Sequence, residues 1–344
     1  MASAEQTLTA PGPMVPPANL KRVSARRDSI GSWPLLDRVA WALCWAVGLG
    51  LCAIAAAIVV FMFVKGIAYL SPSLLLEHPA ASQSQATSGG FLDPIEGTLL
   101  LTAVGIAIAA PLGVAVAVWL CEYARPAWLA RLVESSVEMI AGAPSVLLAM
   151  FGLVVFARPV LGFLSYTSAG GAVTGKSFLT AGAMMSLIGL PLVVAATREA
   201  LLQVPAHVRE ASHALGKTRA TTIRRVLLPS IRPSMTSGVT LAIGRIVGDT
   251  AIVVILLGAG IRLEGAGGLP GLSILRGSGG TLTSYVRYNS PAGEGNAHEK
   301  AYAAAFVLML MVLVLNVIVT RLSARRTGAR ASVWRAVQWS FPWS

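Results

Sequence analysis

Charge is what this sequence has least of. Of its 344 residues, 12% are Asp, Glu, Lys or Arg, against about a quarter in an ordinary soluble domain. So few charges cannot cover a whole surface for water, which excludes a pair of soluble domains despite the adequate length. Cysteine is scarcer still. Cys44, Cys52 and Cys121 are too few for a disulfide framework and stand at no metal-ligand spacing, so each reads as a small apolar packing residue. The four histidines, His78, His207, His213 and His298, form no ligand cluster. Clustered acid/base or metal residues near one interface, which a polytopic membrane enzyme needs, are also missing.

What the chain has in abundance is long apolar runs. Spanning a bilayer takes about 20 predominantly apolar residues, and six stretches qualify: 39–64, 97–121, 136–157, 178–197, 235–258 and 301–320. The first is too long for a signal-peptide core and reads as an uncleaved anchor. Residues 1–37 read as a disordered cytoplasmic tail, 38–325 as the six-helix membrane domain, and 326–344 as a second cytoplasmic tail. The net charge of +12 would suggest a nucleic-acid partner in a soluble chain. In a membrane chain the position of the basic residues matters more. With the N-terminus inside, 19 of the 27 Lys and Arg fall in cytoplasmic segments, seven fall outside, and Arg245 lies within a span. Both termini are therefore expected in the cytoplasm. The loops at 65–96 and 259–300, rich in Gly, Ser and Pro, are expected outside.

One motif is deceptive. Residues 170–177, GGAVTGKS, match the phosphate-binding pattern GxxxxGK[ST]. That chemistry needs a buried strand before the loop and a helix after it. Tyr166 to Ala169 are small and polar, the loop falls on the outer side, and no α/β domain surrounds it. It reads as a turn between spans, and the chain as no ATPase.

The cytoplasmic connection 198–237 is more informative. Pro205 suits a helix's first turn and Gly216 its C′ position. Between them Val208, Ala211 and Leu215 mark an apolar face. Thr218 can cap a second amphipathic stretch ended by Pro229. Short helices are marginal in water, so this pair is expected to dock on something. The membrane surface would suit the arginines, but a fixed residue order suggests a protein. Glu210-Ala211-Ser212, Gly216, Val226, Leu228 and Pro229 resemble the EAA loop of bacterial ABC importer permeases. Ser212 replaces the second Ala. The resemblance implies that Glu210, Ala211, Ser212, Gly216, Leu228 and Pro229 belong to the interface with a separate ATPase.

The fifth span carries the remaining signal. Arg245 and Asp249, four residues apart, would share a helix face and pair. A charge at mid-membrane is costly and by default functional, and Gly244 and Gly248 allow another helix close approach. Arg245 would offer its planar fork to an oxyanion while Asp249 orients it; a structural ion pair is the plainer alternative. Gly244-Arg245-Ile246-Val247-Gly248-Asp249-Thr250-Ala251 resembles a segment of phosphate-specific (Pst) importer permeases. Glu122-Tyr123-Ala124-Arg125, Ala141-Gly142-Ala143-Pro144-Ser145 and Phe151-Gly152-Leu153 resemble further segments of the same family. Tyr285, Tyr288 and the Asp-Thr-Ala run favour the PstA-type subunit over the PstC-type. Asp249 stands where that family usually has Glu, and the loop around 259–281 is longer than usual. Pro144 is expected to kink the third span, and Glu138 to pair with a basic residue near the cytoplasmic interface.

The resemblance, covering about 35–325, implies an all-α type I ABC importer permease with six transmembrane helices in the bacterial inner membrane. Its substrate pathway would hold Arg245 and Asp249. Its partners would be a PstC-like permease, an ATPase dimer carrying ATP and Mg, an extracytoplasmic phosphate-binding protein and the lipid bilayer. No cofactor, metal, catalytic residue or nucleic acid is expected for this chain. Sulfate or molybdate transport, and phosphate sensing without transport, are the rival readings.

Overall fold

A computed structural model describes residues 34–79, 89–165, 174–258, 272–293 and 297–338. Among them every regular element is helical: α1 (Leu35–Tyr69), α2 (Pro72–Leu76), α3 (Leu92–Val118), α4 (Ala127–Gly142), α5 (Ser145–Phe156), α6 (Phe178–Leu202), α7 (Ala206–Ala214), α8 (Arg219–Thr222), α9 (Leu228–Ser230), α10 (Arg232–Gly248), α11 (Ala251–Leu256), α12 (Leu272–Arg276), α13 (Leu282–Asn289) and α14 (His298–Gln338). Trp119–Tyr123 and Ile223–Leu227 are wide π-helical turns and Pro159–Leu164 is a 3₁₀ turn.

Residues up to Val60 form one unit and those from Phe61 a second. In the first, α1 is apolar from Val39 to Val60, with the Trp41 and Trp45 rings 6.0 Å apart. In the second, α3 runs along α6, and α10 packs on α6, α14 and α3. The core between them gathers Leu101, Met184, Met185, Ile188, Ile246 and Leu256. Small residues allow the close approach. A methyl group on Gly238 of α10 would stand 2.7 Å from the Ala196 Cβ of α6, the close-contact packing typical of helices in lipid.

Among the described residues four helices are long and apolar enough to span: Leu35–Tyr69, Leu92–Tyr123, Phe178–Leu202 and His298–Leu322. The third expected span is instead a helix pair, α4 and α5, bent by 109°. Pro144 stands at the bend, as expected of a residue with no N–H to continue the ladder. The fifth is also broken. Helix α10 ends at Gly248 and α11 starts at Ala251. Apolar patterning alone does not register such a break, because the residues on either side of it, Ala242–Val247 apart from Arg245 and Ala251–Leu256, form one apolar run.

Residues 1–33 lie outside the described set, but 35–37 already belong to α1. Helix α14 passes 325 without interruption and runs to Gln338. The three cysteines are free. Cys44 and Cys52 are exposed, while Cys121 packs beside Leu201 and Leu227. No group of metal-ligating side chains occurs among the described residues. Of the 170–177 motif, residues 170–173 lie outside the described set. Ser177 is buried as the N-cap of α6, its hydroxyl donating to the Leu164 carbonyl at 2.8 Å and accepting from Thr180 N–H at 3.0 Å. That hydroxyl is spent on the helix cap.

Candidate substrate pathway and coupling sites

Arg245 lies in the last turn of α10 and Asp249 just past its end. The expected ion pair between them does not form. Asp249 leaves the helix with extended backbone (φ −79°, ψ 129°). Its buried carboxylate accepts the Ile252 N–H at 3.0 Å, satisfying an N–H that the first turn of α11 leaves without a helical partner. The i,i+4 geometry that would have paired the two charges requires an unbroken helix. The Thr283 hydroxyl donates to the Val247 carbonyl at 2.8 Å, satisfying an acceptor freed at the end of α10. Arg245 is exposed, and it holds no ion pair or hydrogen bond among the described residues. Added methyl groups on Gly244 and Gly248 would meet nothing within 4 Å, so this stretch of α10 is open.

The segment 205–229 is closely built. Helix α7 follows Pro205 and ends in a Schellman turn: Gly216 N–H donates to the His213 carbonyl at 2.9 Å and Lys217 N–H to Ser212 at 3.2 Å. Gly216 has φ +71°, the left-handed conformation that favours glycine. Thr218 caps α8 through the Thr221 N–H. The expected apolar face is covered only at Val208, which is half-buried, while Ala211 and Leu215 are exposed, Leu215 by 77%. The buried residue is Ser212, whose hydroxyl bonds that of Thr222 at 2.8 Å and joins the two helices. Ser212, the one departure from the EAA pattern, is thus a tie within the segment. Glu210 is exposed, while Leu228 and Pro229 are half-buried.

Two contacts here went unforeseen. Arg209 Nε donates to Glu122 Oε1 at 3.0 Å, while its two other nitrogens donate to the Val204 and Leu201 carbonyls, each at 2.8 Å. Arg219 donates to the Glu122 carbonyl at 2.9 Å and lies over the Tyr123 ring. Glu122 and Arg209 are 87 positions apart, and no local pattern joins them. Near the same end, Arg198 of α6 pairs with Glu134 of α4 at 2.7 Å, in place of the expected Glu138, which is exposed one turn further along. The three side chains border a cleft of about 160 Å³ between α4 and α6.

Residues 109–328 match the family described as "Binding-protein-dependent transport system inner membrane component", more than half of the chain. The chain belongs to this permease family. Among its relatives is the Probable ABC transporter permease protein YqgI of Bacillus subtilis, 33% identical over 61% of this chain and 68% of that one. Phosphate transport system permease protein PstC of Xylella fastidiosa is 32% identical, over 54% and 61%. Phosphate transport system permease protein PstA 1 of Mycobacterium tuberculosis is also 32% identical, over 65% and 67%. Both subunit types thus match at one level of identity. A solved bacterial ABC transporter involved in alginate import shares the fold, with a TM-score of 0.53 at 17% identity over 83% of this chain and 98% of that one. The protein is a multi-pass ABC importer permease of the type I fold, a membrane subunit within the Pst permease family.

Proposed function

We propose that this chain is a transmembrane subunit of an ATP-driven importer for inorganic phosphate, with ATP hydrolysed on a separate ATPase. The observation that carries the reading is Arg245: a guanidinium with no partner among the described residues, on an open, glycine-flanked stretch of α10, in a chain whose relatives include phosphate permeases. Such a fork binds an oxyanion through parallel charge-assisted hydrogen bonds. Asp249, held on the Ile252 N–H, shapes the break beside it.

At the cytoplasmic side, the exposed residues Glu210 and Ala211 of α7, with Leu215 at its end, receive the ATPase. Motion there rocks the spans between outward and inward states and releases the anion past Arg245. The exposed side chains of α4 and α5, including Met139, Leu147 and Phe151, meet a PstC-like partner or lipid. The outer segments dock an extracytoplasmic phosphate-binding protein. Tyr285, Tyr288 and the Asp249-Thr250-Ala251 run support the PstA-type assignment, and the distribution of Lys and Arg supports both termini being cytoplasmic.

The test is uptake by the reconstituted complex of both permeases, ATPase and binding protein. Labelled phosphate accumulates with ATP and fails to accumulate without it. Equal uptake without nucleotide overturns the importer reading, and ATP hydrolysis with no movement of phosphate favours a sensor.

A further inference from the structure

The coupling segment is connected by the chain to α6 before it and α10 after it, yet its ion pair, Arg209 with Glu122, reaches a third element. We propose that Arg209, with Arg219, is the linkage that makes the cytoplasmic end of α3 move with the coupling helices; this rests on the importer reading above. Arg209 spends each guanidinium nitrogen on a separate acceptor: the Glu122 carboxylate beyond α3 and the Leu201 and Val204 carbonyls at the end of α6. It therefore ties α7, α6 and the end of α3 at one planar group. A cation also suits the negative C-terminal end of α6. Arg219, arriving with α8, holds the Glu122 carbonyl and covers Tyr123.

The contact is built for transmission. The Glu122 and Arg209 side chains are 11% and 26% exposed, so water screens the pair less than an exposed one. Glu122 lies in the π-helical turn that ends α3, an irregularity frequent at functional sites. Ser212 and Thr222 join α7 to α8, so the two arginines grip residues 122–123 from one hydrogen-bonded body. A displacement of α7 by an ATPase is thereby delivered to α3 and α6 together, and those two helices pack along one another. Glu122 and Arg209 are positioning residues, remote from Arg245 in sequence and acting on it through these helices.

The test compares wild-type, Glu122→Gln and Arg209→Lys complexes in the same vesicles, reading phosphate moved per ATP hydrolysed. Both variants keep the ATPase bound and hydrolysing, but the ratio falls about 10-fold, as expected for loss of a charge-assisted hydrogen bond. A merely structural role would lower hydrolysis and uptake together and leave the ratio unchanged, which overturns the proposal. A second arm places cysteines at 122 and 209 in a background without Cys44, Cys52 and Cys121. A short bifunctional thiol cross-linker between them restores the ratio, and failure to restore it also counts against the linkage. An uncoupled wild-type complex would overturn the importer reading and the linkage with it. A coupled wild type beside equally coupled variants overturns the linkage alone.

Discussion

Two arginines of this chain lie in opposite circumstances. Arg209 has three acceptors within 3.0 Å and is mostly buried. Arg245 is exposed and has none among the described residues. Guanidinium groups out of water are costly unless hydrogen-bonded. The first arginine meets that cost with the protein's own oxygens, so its work is mechanical. The second leaves its donors for something the chain does not supply. In the proposed mechanism the same side chain acts as a bolt in one place and as a receptor in the other, and its acceptors distinguish the two roles.

The largest expected effect breaks the comparison on the receptor side. Arg245→Gln lowers ATP-driven phosphate uptake about 100-fold, the upper range for a lost hydrogen bond to a charged group, while the complex still assembles on size exclusion. Loss of assembly would instead make Arg245 a packing residue. On the bolted side, Gly216→Ala costs about 1–2 kcal/mol because an L side chain is strained at this φ. The site has open space around it, so the cost is conformational and Gly216→Asn recovers part of it. Binding of the ATPase, measured by titration, should follow that order. Asp249 sharpens the contrast at smaller magnitude. Asp249→Ala loses the cap and about 1 kcal/mol in thermal unfolding, whereas Asp249→Asn preserves it. Equal damage from both would point to the carboxylate's charge and to a partner such as Arg245.

The smallest effect is expected at Tyr285, buried against Phe91 with no hydrogen-bond partner for its hydroxyl among the described residues. Tyr285→Phe leaves stability unchanged or raises it by up to about 1 kcal/mol. Burial pushes this phenol up to about 12 from 10.0. Its contribution is therefore full below pH 10 and is lost as pH rises toward 12. Alkaline unfolding of the wild type should show that decline, and the Phe variant should lack it.

What the sequence made legible was local. Apolar length located four unbroken spans and the bent pair α4–α5, Pro144 the bend, and Pro205 and Gly216 the two ends of α7, because each depends on residues close in the chain. Arg245 was visible for the same reason, as a charge in an apolar run. The break at Asp249 was not, since Ala251 to Leu256 continue the hydrophobicity of α10 while starting a new helix. Glu134 and Glu138 lie one turn apart on α4, and periodicity cannot choose which of them reaches Arg198. The Glu122–Arg209 contact was hidden altogether, because it exists only once α3, α6 and α7 have been brought together. The motif around Gly216 falls on the closely built segment 205–229, but its apolar spacing did not disclose that Ser212 would be buried and Ala211 and Leu215 left exposed.

The central claim concerns the anion that Arg245 awaits, and competition tests it most directly. The reconstituted complex is given ATP and labelled phosphate, with a large excess of unlabelled phosphate, sulfate or molybdate. Uptake of labelled phosphate that excess unlabelled phosphate suppresses and that sulfate and molybdate leave intact is the predicted result; no ATP-driven uptake of phosphate, or suppression by sulfate or molybdate equal to that by phosphate, would contradict it.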